Sequence, residues 1–90
     1  MIVARRFLVA GRVQGVGFRF FAEDHARLEG LAGYVRNLPD GRVEAVAEGE
    51  EASVDRFERA LHRGPRSAHV EHVVSEPLAP EGRNGFSVRS

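Results

Sequence analysis

The sequence predicts an α+β sandwich, with two helices on one face of a mostly antiparallel four- to five-stranded sheet. Three observations carry this expectation. The hydrophobic period switches between two and about 3.6 along the chain, in the order strand, helix, strand, strand, helix, strand. Glycine, Gly-Pro or Pro-Asp-Gly marks most of the switches. Ninety residues with an apolar fraction of 42% can fill one core but not two, so residues 1–90 are expected to form one domain.

Arg6 to Val13 (RFLVAGRV) reads as the first strand, with Phe7, Val9 and Val13 at period two. Leu8 and Ala10 make its other face partly apolar, as expected of a central strand. Gln14-Gly15-Val16-Gly17 follows as a glycine-marked loop. From Phe18 to Glu29 the pattern is helical, with Phe18, Phe21 or Ala22, His25 and Leu28 spaced by three and four, and Gly30 ends it. Ala32 to Leu38 reads as the second strand. Pro39-Asp40-Gly41 is a hairpin turn, because Pro presets φ and Gly supplies a positive φ. Val43, Ala45 and Ala47 alternate with Glu44 and Glu48 in a third strand up to Gly49. Glu50 and Glu51 open a second helix, well placed at the positive end of its dipole. Val54, Phe57 and Leu61 form its core stripe, and Gly64-Pro65 stops it. Ala68 to Ser75 is a fourth strand, and Phe86 and Val88, alternating with Ser87 and Arg89, form a short fifth. The βαββαβ order is the ferredoxin-like arrangement.

Composition removes several functions. With 29% charged residues, and no apolar run near the ~18 residues of a spanning helix, a membrane protein is excluded. Met1-Ile2-Val3-Ala4-Arg5-Arg6 lacks the basic-then-apolar order of a secretion signal, so a cytoplasmic protein is expected. The absence of cysteine rules out disulfides, thiolate chemistry and Cys-based zinc sites. Thirteen basic residues balance thirteen acidic ones, which argues against nucleic acid as a partner. All thirteen basic residues are arginine. A thermophilic source or a GC-rich genome would each explain that bias.

The chemically informative segment is the strand-loop-helix junction from Gly11 to Phe20. Its glycines allow tight or left-handed backbone, in which successive N–H groups point inward as an anion-binding nest. The N-terminal dipole of the following helix adds to it. Arg19, in the first helical turn, can reach back over the nest, and its planar fork suits a phosphoryl group better than a lysine would. On spacing alone, a solvated first-turn arginine is the commoner reading. Gly15-x-Gly17 lacks the third glycine of a dinucleotide fingerprint, which would fall at Phe20, and the chain has no lysine for a P-loop. His69 and His72, three apart on a strand, are expected on opposite faces, unable to share a metal. His25 reads as a core histidine and His62 as a surface one. No serine or histidine is expected near the loop to act as nucleophile or base.

The run GRVQGVGFR, Gly11 to Arg19, resembles the first signature of the acylphosphatase family. Gly33-Tyr34-Val35-Arg36-Asn37, followed by Gly41, Val43 and Gly49, is similar in order and spacing to the second. Tyr34 stands where many members carry Trp, and Glu29 precedes Gly30 where an apolar residue is usual. The resemblance spans essentially the whole chain. It implies that Gln14, Gly15, Val16, Gly17 and Phe18 bind phosphate together with Arg19, and that Asn37 orients the attacking water. It further implies a phosphate oxygen of the substrate as the base and no cofactor or metal. The implied partners are a small acyl phosphate as substrate and inorganic phosphate as product and inhibitor. No apolar stripe is left unassigned, so a monomer is expected. Two other readings stay open: a ferredoxin-like nucleic-acid-binding module, which needs aromatics on the open sheet face, and the acylphosphatase-like domain of a larger carbamoyl-transfer maturation factor.

The lack of cysteine and of clustered histidines generates a first prediction. Hydrolytic activity on acetyl phosphate should survive exhaustive chelation. Its loss in EDTA and return with a divalent cation would contradict the metal-free reading.

Overall fold

The computed structural model describes all ninety residues, Met1 to Ser90. The elements follow as β1 (Ile2–Arg12), α1 (Phe18–Leu28), β2 (Ala32–Asn37), β3 (Val43–Glu50), α2 (Glu51–Arg63), β4 (His69–Leu78) and β5 (Phe86–Arg89). The strands form one sheet in the order β4-β1-β3-β2-β5, antiparallel except where β2 pairs with β5. The expected ferredoxin-like α+β sandwich is the observed fold. No helix is long and apolar enough to cross a membrane.

Period-two patterning decides which face the helices cover. Phe7 and Val9 of β1 stand opposite Ala45 and Val43 of β3, and Val35 of β2 stands opposite Ala45. All five are fully buried, and with Val54, Phe57 and Leu61 of α2 they form the centre of the core. Phe57 ties the layers, with ring centroids 5.9 Å from both Phe7 and Phe86. β1 begins four residues before its apolar pattern does, pairing from Ile2 with Glu50. Arg5 and Arg6 hide that extension in the sequence. Arg5 is satisfied on the helix side by Asp55 at 2.6 Å, and Arg6 on the open side by Glu44 at 2.6 Å.

Two expectations are corrected. In α1 the buried stripe is Phe18, Ala22 and Ala26, spaced by four. Leu28 is 79% exposed, and His25 is half-buried against the Phe21 ring at 4.5 Å. The chain turns at Gly30, with φ of 69°, and the Leu31 N–H closes on the Ala26 carbonyl at 2.8 Å. Leu31 therefore fills the place in the core that Leu28 was expected to take. In β4 a bulge breaks the alternation: Ala10 pairs with His72 and Gly11 with Val70, leaving Glu71 as the extra residue. His69 and His72 consequently share the open face instead of lying on opposite ones. Gly11 permits the bulge, since a Cβ there would lie 2.2 Å from the His69 carbonyl oxygen. No three His, Asp or Glu side chains gather to hold a metal ion.

Residues 79–85, between β4 and β5, are organised by a carboxylate of the sheet. Glu48 is buried, and it accepts backbone N–H groups of Glu81 (3.0 Å), Gly82 (2.8 Å) and Arg83 (3.3 Å), with the Arg83 guanidinium at 2.6 Å. The Glu81 N–H bond foremost, then the Arg83 ion pair and remaining N–H bonds, hold its carboxyl below the usual range against the opposing effect of burial. A depressed carboxyl contributes stability that is fully present above its unfolded value of about 4.3 and is lost as pH falls through the folded value. Denaturant midpoints should therefore drop between pH 6 and pH 3, and Glu48→Gln should make that drop smaller. An unchanged acid dependence in the variant would show that Glu48 is not clamping the segment.

Candidate active site

β1 and β2 both pair with β3, so they run parallel to each other and end at the same edge of the sheet. Val9, Val43 and Asn37 form one row across the three strands. Val9 and Val43 are buried under the helices, which puts the Asn37 side chain on the helix-covered face at the end of β2. Two strand spacings, roughly 10 Å, separate Asn37 from β1 in that row. The residues after β1 turn back towards this gap.

The turn is made by two glycines. Gly15 and Gly17 have φ of 74° and 79°, and a Cβ on either would meet no atom within 4 Å. The requirement is therefore conformational, not spatial. Gly17 caps α1 in the left-handed conformation, with no side-chain hydrogen bond to the helix. The first intrahelical bond runs from the Phe21 N–H to the Gly17 carbonyl at 3.1 Å. The N–H groups of the first turn are thus left without intrahelical partners, at the positive end of the helix dipole.

Hydrogen bonds from Gln14, Ser67 and Arg12 hold this loop. Gln14 Nε2 donates to the carbonyls of Leu38 (2.7 Å) and Arg42 (3.0 Å), fastening the loop to the β2–β3 turn next to Asn37. Both protons of its amide are engaged, so only the Gln14 backbone is left for an anion. The Ser67 hydroxyl donates to the Val16 carbonyl at 3.1 Å, and Arg12 Nη2 donates to the Ser67 carbonyl at 3.2 Å. A serine does therefore lie beside the loop, contrary to expectation; its proton is directed at a carbonyl and no histidine is bonded to it. Beneath, the buried Phe18 ring packs on Gly64, where a Cβ would come within 3.2 Å of it.

Arg19 Nη1 donates to the Arg89 carbonyl at 3.0 Å, so the last residues of β5 anchor the side chain. One arm is held and the remaining guanidinium N–H groups stay unengaged within the protein. A cleft of about 200 Å³ lies here, lined by Val13, Gly15, Gly17, Phe18, Arg19, Phe20 and Asn37. Five of the residues singled out in the sequence, Gly15, Gly17, Phe18, Arg19 and Asn37, meet in it. Gln14 and Val16 do not line it; Val16 packs against the core. Phe20 was missed, though an aromatic off the buried helical stripe was a visible signal. The Arg89 carbonyl has no sequence signal at all.

A larger cleft, about 430 Å³, opens at the β2–β5 edge beside Tyr34, Arg83 and Arg89. Its arginines are already occupied. Arg83 pairs with Glu48 and Glu81, and the Arg89 guanidinium lies 3.9 Å above the Tyr34 ring. The smaller cleft is the one with an uncommitted cation, free N–H groups and a polar side chain opposite them.

Residues 5–88 match the acylphosphatase family model. An acylphosphatase of Trichormus variabilis is 54% identical over 81 residues, 90% of this chain and 80% of that protein. The crystal structure of acylphosphatase from Bacillus subtilis superposes with a TM-score of 0.95 at 40% identity, covering both chains completely. Full-length HypF in its phosphate- and nucleotide-bound form contains a similar unit, with a TM-score of 0.90 at 26% identity, and this chain spans 12% of that one. On its two signatures, its fold and these relatives, the chain belongs to the acylphosphatase family.

Proposed function

We propose that this chain is an acylphosphatase, hydrolysing acyl phosphates to a carboxylate and inorganic phosphate. In this reading Arg19 and the Gln14–Phe18 loop hold the phosphoryl group, and Asn37 orients the attacking water. The observation that supports it is a single cleft combining a positive-φ glycine loop, a helix N-terminus, a half-engaged arginine and Asn37.

The chemistry asks for little more. The leaving group is a carboxylate, whose conjugate acid has a pKa of about 4. So good a leaving group departs without a general acid. What remains is to place the water in line and to stabilise charge on the phosphoryl oxygens. Backbone N–H groups at the start of α1 and the free Arg19 N–H groups supply that stabilisation. The Asn37 amide is neutral and cannot carry off a proton, so its part is to position the water. The proton passes to a phosphoryl oxygen of the substrate. Inorganic phosphate occupies the same cradle as product and inhibitor. The working unit in this reading is a monomer.

Arg19→Lys should be nearly inactive, because an ammonium cannot grip two phosphoryl oxygens while reaching the Arg89 carbonyl. Inorganic phosphate should inhibit the wild type and bind the variant weakly. Retention of most activity and phosphate affinity would make Arg19 an ordinary surface residue.

Asn37→Ala should lower kcat by ~10²-fold or more, the scale of losing one preorganised polar group, with KM and phosphate inhibition little changed. Asn37→Asp should weaken binding as well, since its charge repels an anionic substrate. A raised KM with kcat intact in Asn37→Ala would make Asn37 a substrate contact.

A further inference from the structure

The chemistry of the phosphoryl group leaves one wall of the cleft unused. Met1, Ile2, Phe20, Leu28 and Val74 are the large apolar side chains left exposed, and Phe20 is 61% exposed. Of these five, only Phe20 lines any cleft of the molecule. It stands off the buried stripe of α1, which is Phe18, Ala22 and Ala26, so core packing does not call for an apolar residue there. The chain has six phenylalanines. Phe7, Phe18, Phe21, Phe57 and Phe86 each lie against another aromatic ring, and Phe20 has no such partner.

An acyl phosphate has two unlike ends. With the anion in the loop beside Arg19, the acyl group projects from the bridging oxygen towards the rest of the lining. Apart from Arg19 and Asn37, that lining carries no polar side chain. We infer that Phe20 is the acyl-group platform of the site, selecting acyl phosphates with an aromatic or extended apolar acyl group over short ones. This rests on the hydrolase reading above. A ring exposed beside the phosphate site can stack on an incoming ring without reorganisation of the core. Covering it removes apolar surface from water in ground state and transition state alike, so the contact acts on KM more than on kcat.

The test compares wild type, Phe20→Ala and Phe20→Tyr on benzoyl phosphate and acetyl phosphate, with inorganic phosphate as competitive inhibitor. In Phe20→Ala, KM for benzoyl phosphate should rise roughly three- to tenfold more than KM for acetyl phosphate, the scale of one aromatic contact. Phe20→Tyr should restore the wild-type preference, and inhibition by inorganic phosphate should be alike in all three proteins. An unchanged preference in Phe20→Ala would overturn the inference. So would a loss of benzoyl phosphate affinity matched by an equal loss of phosphate affinity, which marks a disturbed loop. Failure of the wild type to release phosphate from either compound would instead bring down the hydrolase reading, and this inference with it.

Discussion

Both halves of the site depend on β3 lying between β1 and β2. Antiparallel pairing on each side makes the two outer strands parallel, so that the residues leaving β1 and the last residue of β2 emerge at one edge. Register matters as much as direction. Asn37 shares a row with Val9 and Val43, and a slip of one residue would turn its side chain to the open face. Gln14 then joins the two edges directly, its amide bonded to Leu38 and Arg42 on either side of the β2–β3 turn. The distance between the glycine loop and Asn37 is thereby set by sheet geometry and one side-chain latch.

Keeping β3 in that place requires both of its faces to be satisfied. Val43, Ala45 and Ala47 meet the helices, while Glu44, Val46 and Glu48 are buried on the other side. Burial alone would push the Glu44 carboxyl up, but hydrogen bonds from Arg6 and Arg36 overcome it and hold the group below the usual range. A carboxylate so placed is costly to leave unpaired. Arg6 reaches on to Glu76 in β4 and Arg36 comes from β2, so one carboxylate links strands on both sides of β3. Glu48 does the same for the segment before β5, and β5 supplies the carbonyl that holds Arg19. The open face thus supports the helix-covered face on which Asn37 stands, and Arg6, Arg36 and Arg83 are consumed in doing so.

Elements whose patterning is local were legible in the sequence. The order of strands and helices, the core of α2, the glycine loop and the places of Arg19 and Asn37 follow from period, punctuation and the two signatures. What misled was non-local. Leu28 kept the helical spacing, but the turn at Gly30 lets Leu31 reach the core first. The histidines of β4 stand three apart, a spacing that puts them on opposite faces of a regular strand, but a bulge opposite Gly11 brings them to one face. Ser67 lies 51 residues beyond Val16 and reaches its carbonyl only because the α2–β4 connection folds over the loop. Gln14 sits inside the signature, yet its amide turns to two carbonyls on the neighbouring turn, a contact that requires knowing where Leu38 and Arg42 lie.

The most direct test of the central claim is an amide-resolved NMR titration of the free protein with inorganic phosphate. Binding in the loop should shift the backbone signals of Gly15 to Arg19 and the side-chain amide of Asn37 most, saturating together with a single affinity. Largest shifts at Gly33, Arg83 and Gly85, beside the wider cleft at the β2–β5 edge, would contradict the assignment of the site.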